Sequence, residues 1–108
     1  MAINIDPTFY EAYYNRALAY EEQKHYAEAE DDLTHTLALN PMVSQAYEAR
    51  GRVRAALHNY DGAIEDLTRY LRVGAGHKYD NHSEVQGFVI SLRIQRLFWN
   101  LFRKRSQM

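Results

Sequence analysis

The sequence predicts an all-α chain, with two helix-turn-helix units stacked as a short solenoid and a long helix closing the C-terminal end. Three observations predict it. Residues 8–41 laid over 42–75 coincide at nine positions without a gap: Ala12/Ala46, Tyr13/Tyr47, Arg16/Arg50, Tyr26/Tyr60, Ala29/Ala63, Asp32/Asp66, Leu33/Leu67, Thr34/Thr68 and Leu37/Leu71. A fixed period of this length marks stacked supersecondary units rather than one irregular core. Apolar residues recur at helical spacing, as Tyr13, Ala17 and Tyr20 and again as Ala29, Leu33 and Leu37, and no alternating strand pattern competes. Finally, the regularity stops at Val73, and a new apolar-rich segment of some 21 residues follows a glycine break.

Taken in order, residues 1–7 (AINIDP after Met1) read as the end of a preceding unit, because Pro7 and Pro41 are 34 residues apart. Asp6-Pro7 and Asn40-Pro41 each place a capping residue before a proline suited to a first helical turn. Helices are expected at about 8–22, 26–39, 42–57 and 60–73, with a turn at Glu22–His25. Gly74-Ala75-Gly76 is a helix stop, since glycine accepts the left-handed conformation that ends helices. Residues 76–82 read as a polar loop. Ser83-Glu84-Val85-Gln86 has capping-box spacing, so a last helix is expected from 83 to about 104 within a C-terminal segment 83–108.

The 34-residue spacing resembles the tetratricopeptide repeat, whose unit carries an aromatic, Leu-Gly, Tyr, Ala, Phe and Pro at fixed offsets. Residues 8–41 offer Tyr13, Arg16-Ala17, Tyr20, Ala29, Leu33 and Pro41 there; residues 42–75 offer Tyr47, Arg50-Gly51, Arg54, Ala63, Leu67 and Ala75. Arg16 and Arg50 depart from the Leu position, Arg54 from the Tyr position and Ala75 from the closing Pro. The resemblance implies a groove lined by the first helix of each unit. Its residues here would be Glu11, Tyr14, Asn15, Leu18 and Glu22, then Gln45, Glu48, Ala49, Arg52 and Ala56. Asn15 resembles the asparagine with which chaperone-binding members hold a terminal carboxylate. The accompanying cations fall at Gln45 and Ala49, which leaves Arg52 as the nearest substitute donor.

Composition excludes more than it selects. The 108 residues include no cysteine, so neither a thiolate nucleophile nor a Cys-based zinc site is available. No phosphate loop, His-Glu-x-x-His pair or isolated pair of carboxylates is present, and a non-catalytic protein without cofactor or metal is expected. Glu30-Asp31-Asp32 reads as a solvated charge run, and His77, Asp80 and His82 as loop residues. No signal-like segment and no apolar run near 18 residues occurs, which makes a cytoplasmic location the default reading. The net charge of −1 hides a gradient, from −6 over residues 1–34 to +5 over residues 93–108. Head-to-tail attraction or an anionic partner for the tail would follow from it.

The last helix is apolar on two sides. At 100° per residue, Val85, Phe88, Val89, Leu92 and Trp99 gather around one direction. Ile90, Ile94, Leu97, Phe98, Leu101 and Phe102 gather opposite. The first face is expected to cap the second unit. Ile94, Leu97, Phe98, Leu101 and Phe102 are expected to meet another copy or the rest of a longer protein. The expected function is therefore an interaction scaffold that holds a protein or peptide ligand in its groove, with a homodimer through residues 83–104 as a second contact. The alternative is a basic amphipathic helix that targets calmodulin or an anionic membrane. No nucleic-acid partner is expected.

Overall fold

A computed structural model describes residues 8–106, with side chains through Arg103. Residues 1–7, read above as the end of a preceding unit, lie outside the described residues. The elements are α1 (Tyr10–Glu22), α2 (Tyr26–Leu39), α3 (Ser44–Ala56), α4 (Tyr60–Arg72), a one-turn α5 (Ala75–Lys78) and α6 (His82–Ser106). Helices α1 and α2 form one antiparallel hairpin, α3 and α4 the next, and α6 packs on α4.

Two expected starts shift inward. Helix α1 begins at Tyr10 and α3 at Ser44, with Phe9 and Val43 as caps that offer no side-chain acceptor. The Asn40 carboxamide oxygen accepts the Met42 backbone N–H at 3.1 Å, so residues 40–43 form a turn instead of a capped first helical turn. The expected loop over 76–82 is also interrupted, because residues 75–78 wind into α5. There Gly76 is buried, and a Cβ on it would lie 2.8 Å from His82 Cα.

The hairpin turns are copies of one another. After α1, Lys24 adopts φ 63° and His25 N–H reaches back to the Tyr20 carbonyl at 2.8 Å. After α3, His58 adopts φ 64° and Asn59 N–H reaches the Arg54 carbonyl at 2.8 Å. Both are six-to-one closures around a left-handed residue, which satisfy helix-end carbonyls that would otherwise lack partners. Gly74, at φ 80°, ends α4 as its composition suggests.

Helices of this length are marginal alone and are held by their shared apolar faces. One cluster joins α1, α2 and α3 through Ala17, Ala29, Leu33, Leu37, Ala46, Ala49 and Val53. A second joins α4, α5 and α6 through Ala63, Ile64, Leu67, Tyr70, Ala75, Val85, Val89 and Leu92. Tyr47 packs against both. Ala29, Leu33, Ala63 and Leu67 are buried, whereas Tyr13 and Tyr47 are half-buried. Tyr13 stacks on His35 with centroids 5.2 Å apart, and the guanidinium of Arg69 lies 4.7 Å from the Tyr47 ring. On α6, Val85, Val89 and Leu92 are buried in the cluster shared with α4, and Phe88 packs beside them.

The departures at Arg16, Arg50 and Arg54 have a structural cause. Arg16 donates two hydrogen bonds of 2.7 Å to Asp32. Arg50 donates to Asp66 at 2.9 and 2.8 Å. Arg54 donates to Asp66 at 3.0 Å and to Glu30 at 2.8 Å, tying α3 to both neighbouring helices. Bidentate Arg–carboxylate geometry adds direction to the attraction. Asp32 is therefore not part of a solvated run; it is buried, and only Asp31 of the three is fully exposed.

Candidate functional site

The residues expected to line a groove come together only in part. Tyr14 on α1 and Gln45, Glu48 and Arg52 on α3 converge on one cavity of about 150 Å³, closed by Tyr70, Tyr79 and Asn81. The residues from α3 recur every three or four positions, which aligns them on one helix face. The Tyr70 hydroxyl donates to Asn81 at 2.8 Å, fixing the segment before α6 as the wall. Beyond that wall, Glu84, Val85 and Phe88 of α6 line a second recess that shares Glu48, Arg52 and Asn81.

Arg52 is already occupied. It donates to both oxygens of Glu21 at 2.9 and 3.0 Å and pairs with Glu48 one turn away. Two carboxylates on one guanidinium leave the site with excess negative charge, so the expected role of Arg52 as a carboxylate donor is corrected. Tyr14 lies beside them. Burial raises the pKa of its phenol, Arg52 opposes the shift and Glu21 adds to it.

The remaining sequence candidates do not reach this cavity. Glu11, Asn15 and Glu22 are exposed elsewhere on α1, and Leu18 packs into the first apolar cluster. Ala49 is buried in that same cluster, and Ala56 is exposed near the end of α3. Tyr79, Asn81 and Glu84 were missed because they lie where the repeat pattern has already ended. Glu21 was missed because its partner is 31 residues away.

A second surface lies on α6. Ile90, Ile94, Leu97, Phe98 and Leu101 are 51–62% exposed, and Phe102 is exposed as well. Beside them, Tyr60, Gln95, Phe98, Trp99, Phe102 and Arg103 line an apolar recess of about 520 Å³. Trp99 faces the body: its ring stacks on His58 at 5.0 Å and meets Tyr60 edge-on at 6.1 Å. Arg96 reaches Asp61 at 3.1 Å. His77 and His82 stack at 4.0 Å beside the α5–α6 turn. Among the described residues no group of three His, Cys, Asp or Glu could hold a metal ion.

Known proteins agree with this architecture. The tetratricopeptide repeat family profile matches residues 10–42, which span α1, its turn and α2. A tetratricopeptide repeat and J domain-containing co-chaperone of Cryptococcus neoformans is 35% identical over 83 residues, 77% of this chain. The chain is a tetratricopeptide repeat protein. Two further relatives are RNA polymerase II-associated protein 3 of Xenopus laevis, 41% identical over 63 residues and 58% of this chain, and its Homo sapiens counterpart, 41% identical over 59 residues and 55%. The chain spans 15% of the co-chaperone and 10% and 9% of the two polymerase-associated proteins. Tetratricopeptide repeats are protein-interaction modules whose stacked helices build concave binding surfaces. Among the described residues, no helix is long and apolar enough to cross a membrane.

Proposed function

We propose that this tetratricopeptide repeat chain is a non-catalytic adaptor that holds a short, basic peptide segment between α1, α3 and the turn before α6. Residues 42–75 act as its second repeat, since Arg50–Asp66 reproduces Arg16–Asp32 at the same 16-residue separation. The supporting observation is the convergence of Tyr14, Gln45 and Glu48 around an Arg52 already neutralised by two carboxylates. A terminal carboxylate would meet Glu21 and Glu48 without a free cationic donor. A Lys or Arg side chain would meet excess negative charge there, which favours it.

The test is fluorescence anisotropy with three labelled peptides of equal length: basic, neutral and acidic at the C-terminus. The basic peptide should bind tightest, and Tyr14→Ala should weaken it about tenfold, the order of one 1.4 kcal/mol contact. Asn15→Ala, outside the cavity, should change little. Equal affinity for all three peptides, or preference for the acidic one, would overturn the groove assignment.

The exposed face of α6 favours a second reading, self-association through Ile94, Leu97, Phe98, Leu101 and Phe102. The basic segment on the same helix makes calmodulin or an anionic bilayer the competing occupant. Light scattering of the full chain, alone and with calmodulin or phosphatidylserine vesicles, separates the three.

A further inference from the structure

The outer face of α6 has a finer pattern than exposure alone. Gly87, Ile90, Ile94, Leu97 and Leu101 follow one another at intervals of three, four, three and four residues. That is the spacing of a coiled-coil seam. The seam lies across the helix from Val85, Val89 and Leu92, which are buried on α4, so it faces away from the body. From Gly87 to Leu101 it runs roughly 21 Å at the α-helical rise.

We infer that two copies of this chain pair through α6 in antiparallel orientation, with Ile94 of each copy packed against Leu97 of the other. The inference rests on reading the outer face of α6 as a self-association surface. Charge decides the orientation. Residues 93–108 carry five bases and no acid, so a parallel pair would set two +5 segments side by side. The antiparallel register pairs Ile94 with Leu97, Ile90 with Leu101 and residue 87 with residue 104. On its flanks, Arg93 then faces Asn100, and the basic last turns of one helix run beside the first turn of the other, which carries Glu84. The flanking position of Phe98 faces the small Ser91.

Gly87 gives an independent indication. Nothing among the described residues lies within 4 Å of a Cβ built there, so the monomer does not require a glycine. A glycine inside a helix weakens it. A seam position without a Cβ lets a second helix backbone approach closely there.

The chain has no native cysteine, which permits a direct test with an Ile90→Cys/Leu101→Cys variant of the full chain. The two sulfurs of one chain are 11 residues apart, about 16 Å along the helix, too far for an internal bond. Mild oxidation followed by peptide mapping should show residue 90 joined to residue 101 and a covalent dimer. Light scattering should give twice the monomer mass for the wild type at submillimolar concentration. A Leu97→Asp/Leu101→Asp variant should return to monomer mass with unchanged helical circular dichroism. A dimer linked 90 to 90 and 101 to 101 would overturn the orientation and leave self-association standing. A wild type that is monomeric throughout, including one that sediments only with phosphatidylserine vesicles, would overturn both.

Discussion

The Arg16 guanidinium grips the Asp32 carboxylate with two hydrogen bonds of 2.7 Å, although Asp32 is 2% exposed and α1 and α2 are separate helices. Hydrogen bonding to Asp32 pushes the Arg16 pKa still higher, and Asp66 does the same for Arg50. Removing one partner of a buried pair leaves an uncompensated charge and costs about 3–5 kcal/mol. Asp32→Ala should fall near the lower end, because Arg16 retains access to water. Asp66→Ala should cost more, since Arg50 and Arg54 both lose an acceptor. Urea unfolding of the two variants checks the order, and an Arg16→Met/Asp32→Leu variant should recover most of the loss.

Two glycines should respond in opposite directions to the same change. A Cβ at Gly51 would lie 2.6 Å from Leu67 Cγ and 3.3 Å from the Ala63 carbonyl. Gly51→Ala should therefore overpack the α3–α4 contact and cost about 1–3 kcal/mol. Gly87→Ala meets open space and should stabilise the monomeric chain by about 0.5–1 kcal/mol. Thermal melts in dilute solution compare them directly.

Ala29 and Ala63 are both fully buried where the two helices of a hairpin approach. Leucine at either position should cost about 1–3 kcal/mol by the same overpacking. An unchanged melting transition in both variants would contradict the helix register.

Burial raises the pKa of Tyr14, so the folded state favours the neutral phenol. Below the ordinary tyrosine pKa of about 10, folded and unfolded chains are both protonated there and this contribution is fully present. Above it the unfolded chain releases the proton first, and stability declines as pH rises. Tyr14→Phe should make the alkaline decline shallower, measured as the difference in urea midpoint between neutral and alkaline pH.

The helices were legible because Ala29/Ala63 and Leu33/Leu67 repeat at the period of the packing itself. The Arg–Asp pairs were legible in principle, since Arg16/Arg50 and Asp32/Asp66 coincide in the same overlay. Reading Asp32 with its acidic neighbours concealed that one helix face turns it inward. The site was only half legible. Tyr14, Gln45, Glu48 and Arg52 follow from helical spacing, but their enclosure depends on Tyr79 and Asn81, carried by a turn that no period describes. Asn15 and Glu11 share α1 with Tyr14 and still miss the cavity: Asn15 is turned about 100° away around the helix axis, and Glu11 lies nearly one turn toward the helix N-terminus.

The contact between Trp99 and His58 gives the chain a built-in fluorophore at one seam. Trp99 is the sole indole, and it rests on the α3–α4 turn rather than in either apolar cluster. Its emission therefore reports the seating of the C-terminal half of α6, whereas circular dichroism reports the helices as a whole. If that half lifts away before the hairpins melt, the tryptophan spectrum will shift to the red at a lower urea concentration than the loss of helical signal. Separate midpoints would identify the end of α6 as an independently opening segment; a single midpoint would show that it unfolds with the repeats.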